Sequence, residues 1–421
     1  MTDADRAFLT RLFTAAVTAA DPMAALAGSL PDRPVGRTVV VGAGKGAAQM
    51  GAAFEELWGA PVEGVLVTRY GYGAPCRSLK VLQAAHPVPD AAGLAAAEAL
   101  MSAVSGLGRD DLVVALICGG GSALLPAPPE GLTLEDEQAL NAVLLASGAP
   151  ISAMNSIRKQ VSRIKGGRLA AAAHPARVVT LVVSDVPGDD PAQVASGPTV
   201  PDAQGRAEAL AHVRAYGIAL PERVARFLET APEDAPQPGD PGFAQDEVKV
   251  VASASISLEA AARAAEAAGV PAVILSDAIE GEAREVGKVH AALVREIVLR
   301  NRPFKRPVVV LSGGETTVTL SGRGGKGGRN TEFLLALALA LDGVEGVAAL
   351  AADTDGIDGS EDNAGAFADG GSVGRMRAAG LDPARLLAGH DAWTAFSAAG
   401  DLFVPGPTGT NVNDFRAILV R

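Results

Sequence analysis

The sequence predicts an α/β fold in two domains: an N-terminal, doubly wound, Rossmann-like parallel sheet and a second α/β domain with a mixed sheet. Three observations carry this expectation. Short valine-rich runs alternate with alanine-rich stretches of helical length, the pattern of buried strands joined by crossover helices. Three runs end in glycine loops: Val39–Val41 into Gly42–Gly46, Leu112–Ile117 into Gly119–Ser122, and Val308–Leu311 into Ser312–Gly314. In open parallel sheets the carboxyl ends of the strands share one edge, where ligands bind. Finally, 421 residues suit two hydrophobic cores better than one.

Taken in order, 39–41, 64–68, 80–84, 112–117 and 178–184 read as buried strands, and 91–105, 133–147 and 160–173 as helices between them. The first helix precedes them, with Phe8, Leu12 and Phe13 at helical spacing behind acidic Asp3 and Asp5. Residues 230–246 carry four prolines without periodicity and read as the linker, which predicts domains of 1–240 and 241–421. A second series follows: strand 248–252, helix 257–268, strand 272–275, helix 281–300, strand 308–311 and helix 331–341, closed by strands 348–352 and 416–420. The active site is expected in the interdomain cleft, with glycine loops from both halves.

Composition excludes several classes of function. A formal net charge of −12 argues against nucleic acid or anionic membrane as partner. Two cysteines, Cys76 and Cys118, imply neither a disulfide framework nor a thiolate metal site. No stretch approaches 18 uncharged apolar residues, so a soluble, cytoplasmic protein is expected.

The loops point to phosphate chemistry. Glycines let backbone N–H groups approach an anion, and lysine or arginine adds full charge. Gly44 and Lys45 in the first loop, Gly119, Gly120, Gly121 and Ser122 in the second, and Ser312, Gly313, Gly314 and Glu315 in the third are candidate phosphate ligands. Arg323–Asn330 interleaves three cations with glycines and opens a helix, which adds Lys326, Arg329 and Asn330. None of these is a P-loop, because Lys45 and Lys326 are each followed by glycine. Gly42, Gly44 and Ala47 satisfy a dinucleotide fingerprint, yet the second strand ends in Thr68 and Arg69 where an acid is expected. Arg69 suits the 2′-phosphate of NADP, which keeps an NADPH-linked reductase as the alternative reading.

Carboxylates cluster at two further strand ends. Asp185 and Asp189 flank a Pro-Gly turn, able to accept a hydroxyl proton or hold a divalent ion. Ser196 continues that loop. Asp353 and Asp355 resemble a calcium loop that lacks its later ligands, and suit Mg²⁺ through one or two oxygens. Arg158 and Lys165 are candidates for the carboxylate of a small acid.

Together, Gly42–Gly46, His86–Asp90, Cys118–Ala123, Asn155–Gly167, Ser184–Thr199, Ser312–Glu332, Asp353–Asp369 and Pro407–Asp414 resemble the class II glycerate 2-kinase family, whose C-terminal half carries the MOFRL-type region. The resemblance covers both halves in order. It implies ATP- and Mg²⁺-dependent phosphorylation of D-glycerate at the 2-hydroxyl, with small molecules as partners and a homodimer as a candidate assembly. By matching position it implies Lys45 and Arg329 as transition-state stabilisers and Asp189 as base. Ser255 stands where the family pattern leads one to expect Asn.

Overall fold

The computed structural model describes all residues except 232, 233, 321 and 323. Arg323, one of the three expected loop cations, therefore lies outside the described residues. Two compact units emerge, residues 22–251 and residues 1–21 with 252–421.

In the 22–251 unit the strands are β1 (Thr38–Ala43), β2 (Glu63–Arg69), β3 (Lys80–Ala84), β4 (Leu112–Cys118), β5 (Arg177–Val183) and β6 (Glu247–Ala252), in the order β3-β2-β1-β4-β5-β6. The pairs β2–β3, β1–β2, β1–β4 and β4–β5 are parallel. β1 and β4 are buried along their whole lengths, as strands covered on both faces must be. The order reverses direction between β1 and β4, which places a ligand crevice at their carboxyl ends.

In the C-terminal unit β7 (Ala272–Ile274), β9 (Val308–Gly314), β11 (Val347–Asp353), β12 (Gly365–Asp369), β13 (Leu402–Phe403) and β14 (Asp414–Val420) form a mixed sheet of order β13-β12-β11-β14-β9-β7. β14 runs antiparallel to both neighbours, whereas β7 and β9 are parallel. β8 (Gly281–Glu282) and β10 (Thr316–Thr317) make a separate parallel pair.

Three expectations change. The proline-rich stretch is not the junction: Asp246 accepts from His174 Nε2 (2.9 Å) and from the Val178 amide (3.1 Å), and the Phe243 ring packs edge-on against His174 at 4.9 Å. These contacts keep the segment in the 22–251 unit, and β6, expected to open the second series, is the edge strand of the first sheet. The boundary therefore moves from 240 to 251. The first helix, Asp3–Ala19, belongs with the C-terminal unit. A Thr2–Asp5 capping box fixes its start. Phe8, Leu9, Leu12 and Phe13 enter a core with Leu258, Val309, Leu350 and Phe415, an apolar stripe that the early sequence neighbours leave uncovered.

The helix expected over 160–173 is two helices, Ile151–Gln160 and Arg168–Ala173. Gly166 (φ +63°) and Gly167 (φ +82°) occupy the left-handed region and break it. Their amides donate to the carbonyls of Ser196 (3.1 Å) and Gly197 (2.8 Å), so the break positions the loop that carries Ser196.

Phe13 is 3% exposed, with ring contacts to Phe403 (5.0 Å) and Phe415 (5.8 Å). Phe13→Ala should cost roughly 3–5 kcal/mol, read as a lowered midpoint in denaturant unfolding. A variant that unfolds like the parent would show that the helix does not anchor this core.

Candidate active site

The predicted residues fall into two clusters, one in each unit. In the 22–251 unit the β1 loop folds over the end of β4. The Lys45 amide donates to the Gly119 carbonyl (2.9 Å) and the Gly46 amide to Cys118 Sγ (3.2 Å). Gly44, at φ +133°, lies so close to Cys118 that a Cβ would collide with its carbonyl and sulfur. Thr68 Oγ1, at the end of β2, donates to the Lys45 carbonyl (3.0 Å). The chain therefore aims Lys45 across the β1–β4 crevice. Any side chain at Gly120 would meet the Lys45 stem and His86 Nε2 at 3.1 Å, which sets these two groups side by side. Burial, then the charges of Lys45 and Arg69, pushes the His86 imidazole down to about 4. The buried Cys118 thiol is pushed up to about 12 by desolvation, so it is an inert small hydrophobe.

The carboxyl end of β5 supplies the acids. The Asp185 carboxylate lies against Gly119, where it fills the space a Cβ would take. Asp189 ends the 3₁₀ turn Pro187–Asp189 with φ +54°, a conformation non-glycine residues seldom adopt and one found at functional turns. Ala195 (φ +53°) and Ser196 (φ +60°) repeat it. Ser196 Oγ lies 2.8 Å from Ser122 Oγ and donates to Asn155 Oδ1 (3.0 Å). Arg158 joins the same chain through Asn155 Oδ1 (3.2 Å) and is steadied by Asn141 (2.8 Å). Lys45, Gly119–Ser122, Asp185, Ser196 and Arg158 are thus linked by contacts around one strand edge. Lys165 is not part of it: its Nζ is buried on Glu137 Oε1 at 2.6 Å, a structural ion pair that leaves no charge for a substrate.

The C-terminal cluster is built by register. Antiparallel pairing sets Asp414 opposite both Asp353 and Gly314, so three strand ends meet beside the helix Arg329–Ala340. The Arg329 guanidinium divides its donors among three carboxylates: Nε to Asp414 (2.6 Å), Nη2 to Asp353 (2.7 Å) and Nη1 to Glu315 (2.8 Å). Burial acts against its charge, but Asp414, Asp353 and Glu315 outweigh it and hold the guanidinium firmly protonated. Burial raises the Asp353 carboxyl to about 8, helped by Asp355 and Asp414 and opposed by Arg329. A pocket of about 750 Å³ opens here, lined by Glu315, Thr317, Gly327, Arg329, Asp353 and His390 among others.

Several phosphate assignments in this unit give way to structural roles. The helix N-terminus expected to receive an anion is filled from within: the buried Asp358 carboxylate accepts from the amides of Asn330 and Thr331 (both 2.9 Å) and from Thr331 Oγ1 (2.8 Å). Asn330 is fully buried and donates to Asp414 (2.8 Å), so it braces a carboxylate. Ser312 Oγ is buried on His290 Nε2 (3.0 Å), since its strand position faces the helix rather than the loop. Gly313 and Gly314 close β9, where Gly314 (φ +115°) lies tight against Ile279. Lys326 is exposed, 4.7 Å over the Trp393 ring and 3.4 Å from Glu361.

Among the described residues no group of three or more His, Cys, Asp or Glu side chains is arranged to hold a metal. Asp353 and Asp355 are adjacent, with the Asp355 amide donating to Asp353 Oδ1 (3.1 Å), which fits an ion that takes few protein ligands. Sequence reasoning missed Asp414, Asp358 and His86 as organisers. Their signal was present only as polar residues in loops after or before strands.

The depressed His86 value has a test. With Lys45→Met one of the opposing charges is gone, so imidazole shifts in a pH titration should move to higher pH. An unchanged midpoint would remove Lys45 as a cause and leave burial and Arg69.

Residues 8–229 match the model described as a domain of unknown function (DUF4147), and residues 308–414 match the MOFRL family. A D-glycerate 2-kinase from Thermotoga maritima is 38% identical, over 94% of both chains. A glycerate 2-kinase from Pyrococcus horikoshii is also 38% identical, over 97% of this chain and 96% of its own. An Agrobacterium vitis protein that carries a provisional hydroxypyruvate reductase name is 54% identical over 99% of this chain and 94% of its own. The crystal structure of a glycerate kinase from Thermotoga maritima superposes with a TM-score of 0.91 at 36% identity, covering all of both chains. No helix among the described residues is long and apolar enough to cross a membrane. With the glycine loops, the strand-end acids and relatives of this identity spanning nearly its whole length, the chain belongs to the glycerate 2-kinase family with DUF4147 and MOFRL regions.

Proposed function

We propose that the protein transfers the terminal phosphoryl group of ATP to the 2-hydroxyl of D-glycerate, giving 2-phosphoglycerate and ADP. The observation that carries this reading is Lys45. Its ammonium has no ion-pair partner among the described residues and stands at the β1–β4 switch point, rimmed by loop glycines. Phosphoryl transfer requires positioning and neutralisation of charge on the transferring group rather than a covalent catalyst. Kinase names on the relatives from Thermotoga maritima and Pyrococcus horikoshii support the same chemistry.

In this mechanism Arg158 meets the glycerate carboxylate, oriented by Asn141 and Asn155. Asp189 accepts the proton of the 2-hydroxyl as its oxygen bonds to the γ-phosphorus. The bond from that phosphorus to the β–γ bridging oxygen breaks, and ADP leaves with the electron pair. Lys45 balances charge on the equatorial oxygens. For Arg329, Asp353 and Asp414 are buried partners, whereas Glu315 is 53% exposed. A phosphate oxygen can therefore replace Glu315 on Nη1 while the guanidinium plane stays fixed. Mg²⁺, held by Asp353 and Asp355 when bound, would supply charge neutralisation to the nucleotide phosphates.

The alternative, an NAD(P)H-dependent hydroxypyruvate reductase, draws on the strand order and the Gly42–Ala47 spacing. Purified protein given ATP, Mg²⁺ and D-glycerate, in parallel with NADPH and hydroxypyruvate, separates the two. Glycerate-dependent ADP formation is expected; NADPH oxidation without ADP would overturn the proposal. Lys45→Ala and Arg329→Ala should each lower kcat roughly 10²-fold or more, the scale of a lost transition-state donor. A change in KM alone would demote the residue to binding.

The carboxylates separate by Mg²⁺ titration. Asp189→Asn should abolish most turnover at any Mg²⁺ concentration, because an amide cannot accept the proton. Asp355→Asn should instead raise the Mg²⁺ needed for half-maximal rate. The reverse pattern would exchange the two assignments.

A further inference from the structure

The loop that follows β2 is built to display a second cation beside Lys45, and the mechanism above leaves it unused. Arg69 closes β2, one residue after the Thr68 that hydrogen-bonds the Lys45 carbonyl. Its guanidinium lies 4.0 Å from the centroid of the Tyr72 ring, a stacking arrangement that orients the planar fork while leaving its edge N–H groups free to donate. The loop itself is pinned on several sides. The Tyr70 amide donates to the Ala84 carbonyl (3.1 Å) and the Tyr70 hydroxyl to Asp90 (2.8 Å). The Gly71 amide donates to Gln83 Oε1 (2.7 Å), and Gln49 Nε2 to the Tyr72 carbonyl (3.3 Å).

Among the described residues neither Arg69 nor Lys45 has a carboxylate within ion-pairing distance. Asp90, the acid of the neighbouring loop, is engaged with Tyr70 and with the Gly93 amide (2.9 Å). The fields of both cations reach His86, which packs beside Lys45 over Gly120. In an acidic protein with a net charge of −12, a lysine packed beside His86 and an arginine one residue after the Thr68–Lys45 hydrogen bond, neither ion-paired among the described residues, form a site awaiting an anion.

We propose that Arg69, Lys45 and His86 form an oxyanion subsite at the ends of β1 and β2 that takes a non-transferred phosphate of the nucleotide, with Arg69 as its bidentate ligand. The identity of that ligand rests on the kinase reading. The guanidinium fork matches two oxygens of one phosphate, Lys45 contributes a point charge, and the uncharged His86 contributes a single ring N–H. Arg158, at the Asn155–Ser196 end of the same strand edge, is left for the carboxylate of the acceptor.

Calorimetric binding of inorganic tripolyphosphate, ADP and D-glycerate to the full chain tests this, using the parent, Arg69→Gln, Arg69→Lys and Tyr72→Ala. Arg69→Gln should weaken tripolyphosphate and ADP at least tenfold and leave D-glycerate unchanged. Arg69→Lys should recover part of the loss, since charge returns without the fork. Tyr72→Ala, which keeps the charge but removes the ring that orients it, should weaken both phosphates several-fold, and it decides the matter should Arg69→Gln fail to fold. Tripolyphosphate bound equally by parent and Arg69→Gln, or not bound by the parent, overturns the subsite. Loss of D-glycerate affinity alone overturns it in favour of a carboxylate ligand. Arg69-dependent tripolyphosphate binding in a protein that makes no ADP from ATP and D-glycerate would retain the subsite and reject the kinase reading.

Discussion

Asp414 has no exposed side-chain surface, and five donors converge on its two oxygens. Oδ1 accepts from Arg329 Nε (2.6 Å) and Asn330 Nδ2 (2.8 Å); Oδ2 accepts from Arg416, the Thr316 amide (3.2 Å) and Thr316 Oγ1 (3.3 Å). Two guanidiniums share one carboxylate, and one of them, Arg416, is itself fully buried. Burying such charges is affordable only because every oxygen is satisfied, and removing one partner from a buried pair typically costs about 3–5 kcal/mol. The C-terminal cluster therefore stands on this residue. It ties β14 to the glycine turn after β9 and orients the helix that begins at Arg329. Asp358 does the complementary work, occupying the helix N-terminus so that Arg329 is the group presented there.

The 22–251 unit solves its problem differently. Among the described residues Lys45 and Arg69 have no carboxylate within ion-pairing distance, and rigidity comes from the backbone: the β1 loop bonded to Gly119, the Gly166–Gly167 break bonded to the 196–197 loop, and the Asp189 and Ser196 conformations held at positive φ. Strained backbone survives only where its surroundings over-determine it, and here those surroundings are the ends of β1, β4 and β5. In one cluster the guanidinium is held among carboxylates, and in the other the lysine has no carboxylate within ion-pairing distance among the described residues.

The sequence disclosed most strands because fully buried parallel strands are long unbroken apolar runs, as in Val113–Ile117. It singled out Lys45 and Arg329 as candidates because both are cations among glycines at strand ends. It did not disclose Lys165, since a buried lysine and a substrate-binding lysine look alike until Glu137, far along the chain, is seen to meet it. The role of Asp414 depends on antiparallel register, which no local pattern encodes. The fate of residues 230–246 was hidden for a similar reason: proline and glycine mark the absence of regular structure, not the absence of packing. The partner of the first helix lies hundreds of residues away, so its amphipathic spacing announced a buried face without saying what buries it.

That helix has a consequence for how the chain comes into being. Asp3–Ala19 leaves the ribosome before the 22–251 unit, while the strands it covers, β11 and β14, leave after that unit. The whole 22–251 unit is thus an insertion between two parts of one core, free to fold while its host is still being made. Until residues beyond 251 emerge, the apolar face carrying Phe8, Leu9, Leu12 and Phe13 has no native partner from its own core. The first helix joins that core only through contacts of very long sequence separation, which are slow to assemble. The nascent helix must wait, which makes it the natural place for a chaperone to hold and for an incomplete chain to aggregate.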